Sequence, residues 1–560
     1  KILDQINQDA HLKGQWSKPF DWPIIPMHSV LLANGKVFTF GSYSITKKFS
    51  DNIHENKKIQ ISDGRILYRD KGDIQWHHHD VSGGVDFVIW DTKGFRDQNF
   101  KVYKKPILVD AFCSIVKVID DEKLMILGGN VYPNKKAPDF QKNVTIFDQK
   151  NQKFLNSFKL LYHRWYGSVV TMGDGRMVML GGEDVSLKAK NNGISHIPEI
   201  ILKDKNKYYS KELTNSASNK FFGNENQDES WFYPRSYLLS DGSIGGVSYD
   251  KIWKMTIDEN NFSSVKQIGQ IKLVNSPGII SFDEVNPNIK EKQKIYTGSI
   301  GANVGRGNST VMIEKDKILV FGGLEIDHIS SNKVSLIDLS DSDKANIVDL
   351  KSMHYPRYNL DATILPNGNV FVNGGSSLRI PKQEEFASDK TMSVLTPEIF
   401  NYKQNIWKKM SPSPYRRNYH STTLLLPDGS LLVGGGDVWN AEIYYPPYMF
   451  EKTWDGQLIW AKKPKIKINK KKISRNQVLK INTENPLNIK SINLISSGSV
   501  THGQGVESKF KSLDYKVRDK NELIVSFPNN KNEIQNGIYM LFAIDDKGTP
   551  SQAEIIYLKD

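Results

Sequence analysis

With 560 residues, of which 38% are hydrophobic and 11% aromatic, the chain can bury a substantial core without disulfide bonds. It has no run of 18 or more apolar residues, so it predicts no membrane-spanning helix. Its formal net charge is +13, but no nucleic-acid-binding motif accompanies that charge, and a nucleic-acid partner is not expected. The densest basic run, Lys462–Lys472, is interpreted as a solvated strand face or linker rather than a polyanion site.

The N-terminal residues Lys1-Ile2-Leu3-Asp4 do not resemble a signal peptide. A secreted chain would look the same after its leader had been cleaved, so this observation does not argue against secretion. We expect an extracellular or cell-surface protein whose signal or anchor has been removed, and we expect a monomer.

A unit made of a strand, a glycine-containing turn and an apolar strand that ends in Gly-Gly recurs along the chain. A degenerate copy runs from His28 to Gly41-Ser42, and a weaker copy ends at Gly245-Gly246. The clear copies end at Gly128-Gly129, Gly181-Gly182, Gly322-Gly323, Gly374-Gly375 and Gly434-Gly435. The turns before the glycine pairs are hairpin signals, namely Asn34-Gly35, Asp174-Gly175, Asp241-Gly242, Asn367-Gly368 and Asp428-Gly429.

The spacing of these units predicts the architecture. Successive glycine pairs lie roughly 50 to 80 residues apart, which is typical of kelch-type blades with loop insertions. The pattern stops near Tyr445–Tyr448, and short alternating strands such as Ser491–Ile495 follow, as in an immunoglobulin-like β-sandwich. The sequence therefore predicts an all-β protein: a seven-bladed kelch-type β-propeller (residues 1–455) followed by a C-terminal immunoglobulin-like β-sandwich (residues 456–560).

Three residues share one position when the units are aligned on their glycine pairs. Cys113, Tyr166 and Tyr419 each lie 15 residues before the first glycine of a pair. Equivalent positions on the inner strands of a propeller lie at one height around the axis, so these side chains can converge. Each signal is weak alone, because a lone cysteine is usually a small buried hydrophobic residue and a Tyr-His pair usually packs within a strand.

Longer motifs around these residues resemble the galactose oxidase and glyoxal oxidase family of copper-radical oxidases. The likeness covers most of residues 14–560, and the motifs stand in the family's order. They are Phe112-Cys113, Arg164–Gly167 with the downstream SVVTMGDGRMVMLGG, Arg417–Thr422 with the downstream LLLPDGSLLVGGGDVWNAEIYYPPYMF, Ser499–His502, and the closing YMLFAIDDKGTPSQAEI.

This resemblance implies one copper ion bound by Tyr166, Tyr419, His420 and His502, a ligand set of phenolates and imidazoles that suits Cu(II). It also implies a thioether bond between Cys113 and Tyr166, which gives the Tyr166 phenol a stable radical. The implied activity is the two-electron oxidation of a primary alcohol or aldehyde, in a small molecule or a glycan, with reduction of O2 to H2O2. Tyr419 then acts as the general base.

The chain departs from galactose oxidases in places that bear on the substrate. Those enzymes carry a tryptophan just after the glycine pair of the Tyr166 unit, where this chain has Glu183-Asp184. The ring that shields the radical is then expected to come from Trp165 or Trp231, or to be missing. A sugar-contacting glutamine is replaced by Ser376, and the segment PRYNLDATILPNG is more similar to glyoxal oxidases, so galactose is not the expected substrate.

Four arginines, Arg164, Arg306, Arg357 and Arg417, lie just before the aligned position. They can attract an acidic substrate at the channel mouth or form hydrogen bonds between blades, and the second interpretation is favoured. His77-His78-His79 is interpreted as a surface loop, because adjacent side chains on a strand point to opposite faces.

The alternative function is a non-catalytic kelch propeller that binds a glycan or a protein partner. The joint presence of Cys113, Tyr166, Tyr419, His420 and His502 favours the enzyme, since a binding propeller needs none of them.

Overall fold

A computed structural model describes residues 5–41, 59–60, 66–67, 69–70, 73–74, 85–92, 99–130 (without 105 and 108), 142–184, 194–275, 305–377, 393–436 and 439–560. Strands account for 49% of the residues and helices for 5%, so the predicted all-β class is confirmed. The loop expected at His77-His78-His79 lies outside the described residues. No helix in the described part of the chain is long and apolar enough to cross a membrane.

The first 33 strands, β1–β33, run to residue 445. Their bounds are β1 Gln15–Trp16, β2 Phe20–Asp21, β3 His28–Leu31, β4 Val37–Phe40, β5 Ile59–Gln60, β6 Ile66–Leu67, β7 Arg69–Asp70, β8 Asp73–Ile74, β9 Phe87–Trp90, β10 Phe100–Tyr103, β11 Ile115–Val118, β12 Lys123–Leu127, β13 Asn143–Asp148, β14 Lys153–Lys159, β15 Trp165–Thr171, β16 Met177–Glu183, β17 Glu199–Asp204, β18 Lys207–Glu212, β19 Arg235–Leu238, β20 Ile244–Ser248, β21 Lys251–Ile257, β22 Ser263–Gln270, β23 Ser309–Glu314, β24 Lys317–Phe321, β25 Val334–Asp338, β26 Asn346–Leu350, β27 Tyr358–Ile364, β28 Val370–Ser376, β29 Glu398–Asn401, β30 Ile406–Lys409, β31 Ser421–Leu425, β32 Leu431–Gly435 and β33 Asn440–Tyr445.

The remaining strands follow residue 445. They are β34 Phe450–Lys452, β35 Leu458–Trp460, β36 Ile466–Ile468, β37 Lys472–Ser474, β38 Leu479–Thr483, β39 Ile489–Ser496, β40 Ser499–Thr501, β41 Gln504–Gly505, β42 Phe510–Leu513, β43 Tyr515–Asp519, β44 Glu522–Val525, β45 Gly537–Asp545 and β46 Glu554–Lys559. Two short α-helices, α1 (Ala10–Lys13) and α2 (Asn219–Phe222), and 3-10 turns at Thr214–Ser216, Glu225–Gln227, Ile326–His328, Pro447–Met449 and Pro486–Asn488 complete the described elements.

Up to residue 445 the chain folds mainly into antiparallel sheets that follow one another in sequence. Five are simple four-stranded meanders: β11–β14, β15–β18, β19–β22, β23–β26 and β27–β30. The sheet β10-β9-β4-β3 is extended at its β3 edge by β40 and β41. In another sheet, β31–β33 pair with β1 and β2, which joins the start of the described chain to its last unit.

The predicted hairpin glycines occupy turns that require them. Gly35, Gly175, Gly242, Gly368 and Gly429 all have φ between 82° and 90°, in the left-handed region that favours glycine. They connect the first and second strands of their sheets, so these hairpin predictions are confirmed.

The glycine pairs connect each sheet to the next. The N–H of Gly129 donates to the Arg164 carbonyl at 3.1 Å, and the N–H of Gly375 donates to the Arg417 carbonyl at 2.8 Å. A Cβ on Gly128 would lie 2.1 Å from the Arg164 carbonyl oxygen, so a side chain there would push neighbouring sheets apart.

The four arginines are buried structural residues, but their side chains do not connect neighbouring sheets as expected. Arg164 donates to the Glu199 carboxylate at 2.8 Å and to the Gly181 carbonyl at 2.8 Å, both within its own sheet. Arg357 and Arg417 bond in the same way to Glu398 and Glu442, and Arg306 donates to the Leu324 carbonyl. It is the backbone carbonyls of Arg164, Arg357 and Arg417 that reach the adjacent sheet.

The C-terminal strands form two larger sheets, β36-β38-β44-β43 and β37-β46-β45-β39-β42, around a separate hydrophobic core that includes Leu479, Ile492 and Leu541. Most lysines of the run Lys462–Lys472 are exposed on or beside β36, as expected of a solvated strand face. The β40–β41 hairpin leaves these sheets and pairs with β3, so that Thr501 lies opposite His28.

Candidate metal centre

The five residues predicted from sequence lie together. The Tyr419 hydroxyl donates to the Tyr166 hydroxyl oxygen at 3.1 Å. Cys113 Sγ lies 3.3 Å from His502 Nε2, and the ligand atoms of Cys113, His420 and His502 all lie within 4.8 Å of one another. All five side chains are buried.

Each residue is positioned where a strand starts or turns. Cys113 precedes β11, Tyr166 is the second residue of β15, and Tyr419-His420 precede β31. His502 lies in the turn between β40 and β41. The centre thus combines the starts of three sheets with one hairpin from the C-terminal strands.

Four of the five residues have a left-handed backbone, which is unusual for residues other than glycine. Their φ angles are 57° for Cys113, 66° for Tyr166, 68° for His420 and 49° for His502. Such conformations cost roughly 1–3 kcal/mol each and persist only where surrounding contacts impose them. Their clustering at one buried point marks a candidate functional site.

The left-handed residues correct the alignment made on the glycine pairs. Tyr166 N–H donates to the Cys113 carbonyl at 3.1 Å, and Tyr233 N–H donates to the Tyr166 carbonyl at 2.8 Å, so these three residues are equivalent in consecutive sheets. In the last sheet the left-handed pair is Gly435-Gly436 rather than Gly434-Gly435. The residue equivalent to Cys113 and Tyr166 is therefore His420, and the alignment with Tyr419 was wrong by one residue.

Electrostatics favour neutral groups at the centre. Burial, followed by the nearby Cys113 and Tyr419, raises the pKa of Tyr166 well above its usual value. Burial, followed by His420 and His28, lowers the pKa of His502 well below its usual value. A neutral imidazole keeps a lone pair for a metal, and a bound cation would in turn favour phenolate over phenol.

Aromatic side chains enclose the Tyr166 ring. The Trp165 ring stacks on it with centroids 4.7 Å apart and an interplanar angle of 21°. The Trp231 ring lies 5.8 Å away at 40°, and Phe232 lies at 5.2 Å. Both tryptophans proposed as shields therefore contact the ring, and Trp165 has the stacked geometry.

Two residues of the centre were missed by the sequence analysis. The Tyr233 ring lies 5.6 Å from the Tyr166 ring and 5.1 Å from the His502 ring, and its hydroxyl donates to the Ser114 carbonyl at 3.1 Å. The His28 ring lies 5.9 Å from the His502 ring. Nε2 of His28 is buried, with no hydrogen-bond partner among the described residues.

The reason for both omissions is the same. His28 opens the degenerate first unit, and Tyr233 precedes the unit that ends at Gly245-Gly246, where the glycines do not have the left-handed backbone of the clear copies. Where the glycine pair of a unit is degenerate, the position equivalent to Cys113 and Tyr166 cannot be located by alignment. The available signal for Tyr233 was its aromatic neighbours, Trp231 and Phe232, and the signal for His28 was a histidine at the start of an apolar strand.

Two donor sets can be drawn from this cluster. One is the thiol of Cys113 with the imidazoles of His420 and His502, whose ligand atoms lie within 4.8 Å of one another. The other is two phenols and two imidazoles, from Tyr166, Tyr419, His420 and His502, with ring centroids of His420 and His502 4.9 Å apart. The second set is the nitrogen–oxygen combination that Cu(II) accepts in tetragonal geometry.

Comparison with known proteins finds one matching family model and relatives that are named as oxidases. Residues 463–558 match the family model "Galactose oxidase-like, Early set domain". A galactose oxidase of Gibberella zeae is 23% identical over 559 residues, which cover 97% of this chain and 70% of that protein. An aldehyde oxidase of Arabidopsis thaliana is 24% identical over 324 residues, covering 52% of this chain and 46% of that protein.

The fold has a solved counterpart. A fungal alcohol oxidase in complex with copper superposes with a TM-score of 0.72 at 17% identity, covering 98% of this chain and all of that one. The chain thus has a galactose oxidase-like fold throughout, and its relatives by sequence are oxidases of alcohols and aldehydes. The chain is therefore similar in sequence to proteins named galactose oxidase and aldehyde oxidase, and similar in fold to a copper-bound alcohol oxidase.

Proposed function

We propose that this protein oxidises a primary alcohol or an aldehyde with O2, releases H2O2, and uses a Cys113–Tyr166 thioether as a radical cofactor beside one copper ion. The observation that carries the proposal is the meeting of five residues from three sheets and one distant hairpin at a single buried point. Four of them have a strained left-handed backbone there. A structural core has no need of such an arrangement.

The fold that supports this centre is proposed to be a closed seven-bladed propeller over residues 1–455, followed by an immunoglobulin-like sandwich over residues 456–560. First strands of successive sheets contact one another: β11 with β15, β15 with β19, β23 with β27, β27 with β31, and β31 with β3. The β40 strand contacts β3, β11 and β31, and β41 contacts β23 and β27. A hairpin that contacts first strands on several sides lies inside their ring, as a channel insertion requires.

The residues fit the proposed metal. Tyr166, Tyr419, His420 and His502 would hold one copper ion, with His502 as the ligand from the C-terminal domain. When bound, copper supplies a one-electron acceptor and a Lewis acid that polarises the substrate oxygen.

A primary alcohol, or an aldehyde that has added water to form its hydrate, carries a hydroxyl proton and a carbon-bound hydrogen, and the protein residues divide these two hydrogens between them. Tyr419, as phenolate, takes the hydroxyl proton. The Tyr166 radical takes a hydrogen atom from the substrate carbon. Their hydroxyl oxygens lie 3.1 Å apart, so both reach the same small group. The two electrons and two protons removed from the substrate pass to O2, which leaves as H2O2, and stacked Trp165 shields the phenol between turnovers.

A second candidate function follows from the donor set of Cys113, His420 and His502. If the sulfur is not joined to Tyr166, a thiolate with two imidazoles is a ligand set typical of electron-transfer copper sites. The Tyr166 N–H donates to the Cys113 carbonyl at 3.1 Å, and after burial the nearby Cys113 is a further cause of the raised pKa of Tyr166. That proximity of the two residues favours the thioether.

Mass spectrometry of the intact protein distinguishes the two. Apoprotein treated with Cu(II) and air should lose the mass of two hydrogen atoms, and the peptides containing Cys113 and Tyr166 should migrate as one species. A Cys113→Ala variant is the matched control and should lose no mass. A Cys113 thiol that still reacts with an alkylating agent in fully copper-loaded, aerated protein would refute the cross-link.

The substrate is assigned by oxygen consumption. Copper-loaded protein should consume O2 with primary alcohols or aldehydes in a screen that includes galactose as a comparison. Absence of turnover with every member of these classes would favour the alternative, a kelch propeller that binds a glycan or a protein. We further propose that the protein acts outside the cell, where H2O2 is released away from the cytoplasm, and that it acts as a monomer.

A further inference from the structure

The hydroxyl of Thr501 lies between a backbone carbonyl and the imidazole of His502. Its Oγ1 is 2.9 Å from the Met27 carbonyl oxygen and 2.6 Å from His502 Nδ1. Thr501 is 2% exposed, so water does not substitute for these partners.

Counting protons fixes the direction of both hydrogen bonds. A carbonyl oxygen only accepts, so Thr501 donates its single proton to Met27. The neighbouring Tyr233 hydroxyl uses its own proton on the Ser114 carbonyl, so it also offers Thr501 only an acceptor. Thr501 must therefore accept from His502, which places the imidazole proton on Nδ1.

The other nitrogen then has an unshared lone pair. His502 Nε2 faces the centre, 3.3 Å from Cys113 Sγ. A neutral imidazole carries one proton, so a protonated Nδ1 leaves Nε2 as the only nitrogen able to bind a metal.

The strand that carries Thr501 is fixed on both sides. Thr501 pairs with His28 in the β3–β40 ladder. On the far side of the turn, Gln504 Oε1 accepts from the Thr310 N–H at 3.0 Å, and its amide donates to the Tyr237 hydroxyl at 3.1 Å. Ser309 donates to the Gly503 carbonyl. The contacts of the hairpin residues on both sides of His502 therefore fix the orientation of the imidazole.

We infer that Thr501 is a positioning residue. It donates a hydrogen bond to the Met27 carbonyl and accepts one from His502, which holds the Nδ1–H tautomer and directs Nε2 to the metal. This inference deepens the proposed function, since it assumes that His502 is a ligand. Partners of this kind typically contribute 10- to 100-fold to metal affinity.

The first test reads the tautomer without copper or turnover. Apoprotein with 15N-labelled histidine should give a His502 signal with Nδ1 protonated and Nε2 unprotonated, identified by its loss in a His502→Gln variant. A protonated Nε2 in the wild-type apoprotein would overturn the inference, whether or not any variant folds. Because this measurement needs no activity, an inactive protein with Nδ1 protonated would refute the oxidase and still confirm that Thr501 sets the His502 tautomer.

The second test uses substitution. Thr501→Val removes the hydroxyl at nearly constant volume and should weaken Cu(II) binding about 10- to 100-fold in a chelator competition. Thr501→Ser keeps the hydroxyl and should restore both the affinity and the tautomer. The matched control is Thr39→Val, which removes another buried hydroxyl, one that accepts from Trp22 Nε1, and should leave both unchanged. Equal affinity and tautomer in Thr501→Val and wild type would overturn the inference.

Discussion

Asp361 is a buried carboxyl in β27 whose protonation should make stability depend on pH. Burial raises its pKa from 3.8 to about 7, although the hydroxyls of Ser421 and Thr423 donate to it and Arg417 lies near it. Because the pKa is higher in the folded chain, the folded chain binds more protons than the unfolded chain between about pH 4 and pH 7. Stability is therefore present at acid pH and is lost as the pH rises through the folded pKa.

The size of this effect follows from the two pKa values. Between pH 5 and pH 8 the folded state should lose about 2.5 kcal/mol of unfolding free energy through Asp361 alone, since each unit of pKa difference is worth about 1.4 kcal/mol. An Asp361→Asn variant has no such proton to lose. It should resemble the wild type only below about pH 4, where the carboxyl is neutral in both states, and should exceed it in stability at pH 5 and by about 2.5 kcal/mol more at pH 8.

Urea unfolding of both proteins at pH 5 and pH 8 checks this prediction. The quantity that matters is the difference between the two proteins in their loss of stability, because other titrating groups then cancel. Asp349→Asn, at an exposed carboxylate of β26, is the control and should follow the wild type. Parallel losses of stability in Asp361→Asn and wild type would show that Asp361 is ionised in the folded protein and would refute the reasoning.

Other predictions concern the centre and its support. Tyr419→Phe should keep the Cys113–Tyr166 bond but lower turnover per bound copper at least about 100-fold, the usual contribution of a general base, whereas a packing role would lower stability with little change in turnover. His502→Ala should lower the copper content of purified protein, measured by atomic absorption, and an unchanged content would exclude His502 as a ligand. Lys509 is fully buried, and burial lowers its pKa to about 8. Because the unfolded chain holds that proton up to about pH 10.5, stability should rise from pH 8 to pH 10, and this rise should disappear in Lys509→Met.

The parts of the fold that sequence predicted are those that depend on local backbone requirements. A two-residue turn such as Asp174-Gly175 needs a left-handed residue, and glycine adopts that conformation at least cost, so the letters alone predict the hairpin. The Gly-Gly pairs are equally local signals, because a Cβ would collide with the next sheet. The same repeat indicated that Cys113, Tyr166 and Tyr419 can converge, whereas His502 followed only from the resemblance to a known family.

Local signals of this kind could not predict which two glycines form the left-handed pair in the last sheet, β31–β33 with β1 and β2. Three consecutive glycines, Gly434-Gly435-Gly436, satisfy a Gly-Gly pattern in two ways, and only the backbone angles show that the last two form the left-handed pair. The partners of the arginines were also unpredictable, because Arg164 pairs with Glu199, which lies on the third strand of the same sheet and shares no motif with it. Pairing across strands depends on register, which a single sequence specifies only weakly.

The backbone connections between sheets explain why the centre has residues in such unusual conformations. The Tyr166 N–H donates to the carbonyl of Cys113 and the Tyr233 N–H to the carbonyl of Tyr166, in each case the equivalent residue of the preceding sheet, and the bond from Asn359 to Gly307 repeats the pattern further along. A left-handed residue at this position turns its N–H toward the preceding sheet, and the hydrogen bond offsets part of the strain. The same residues that hold adjacent sheets together therefore present the sulfur and the phenol. A shift of one sheet would displace its neighbour's side chain as well, so the geometry of the centre depends on the packing between neighbouring sheets rather than on any single motif.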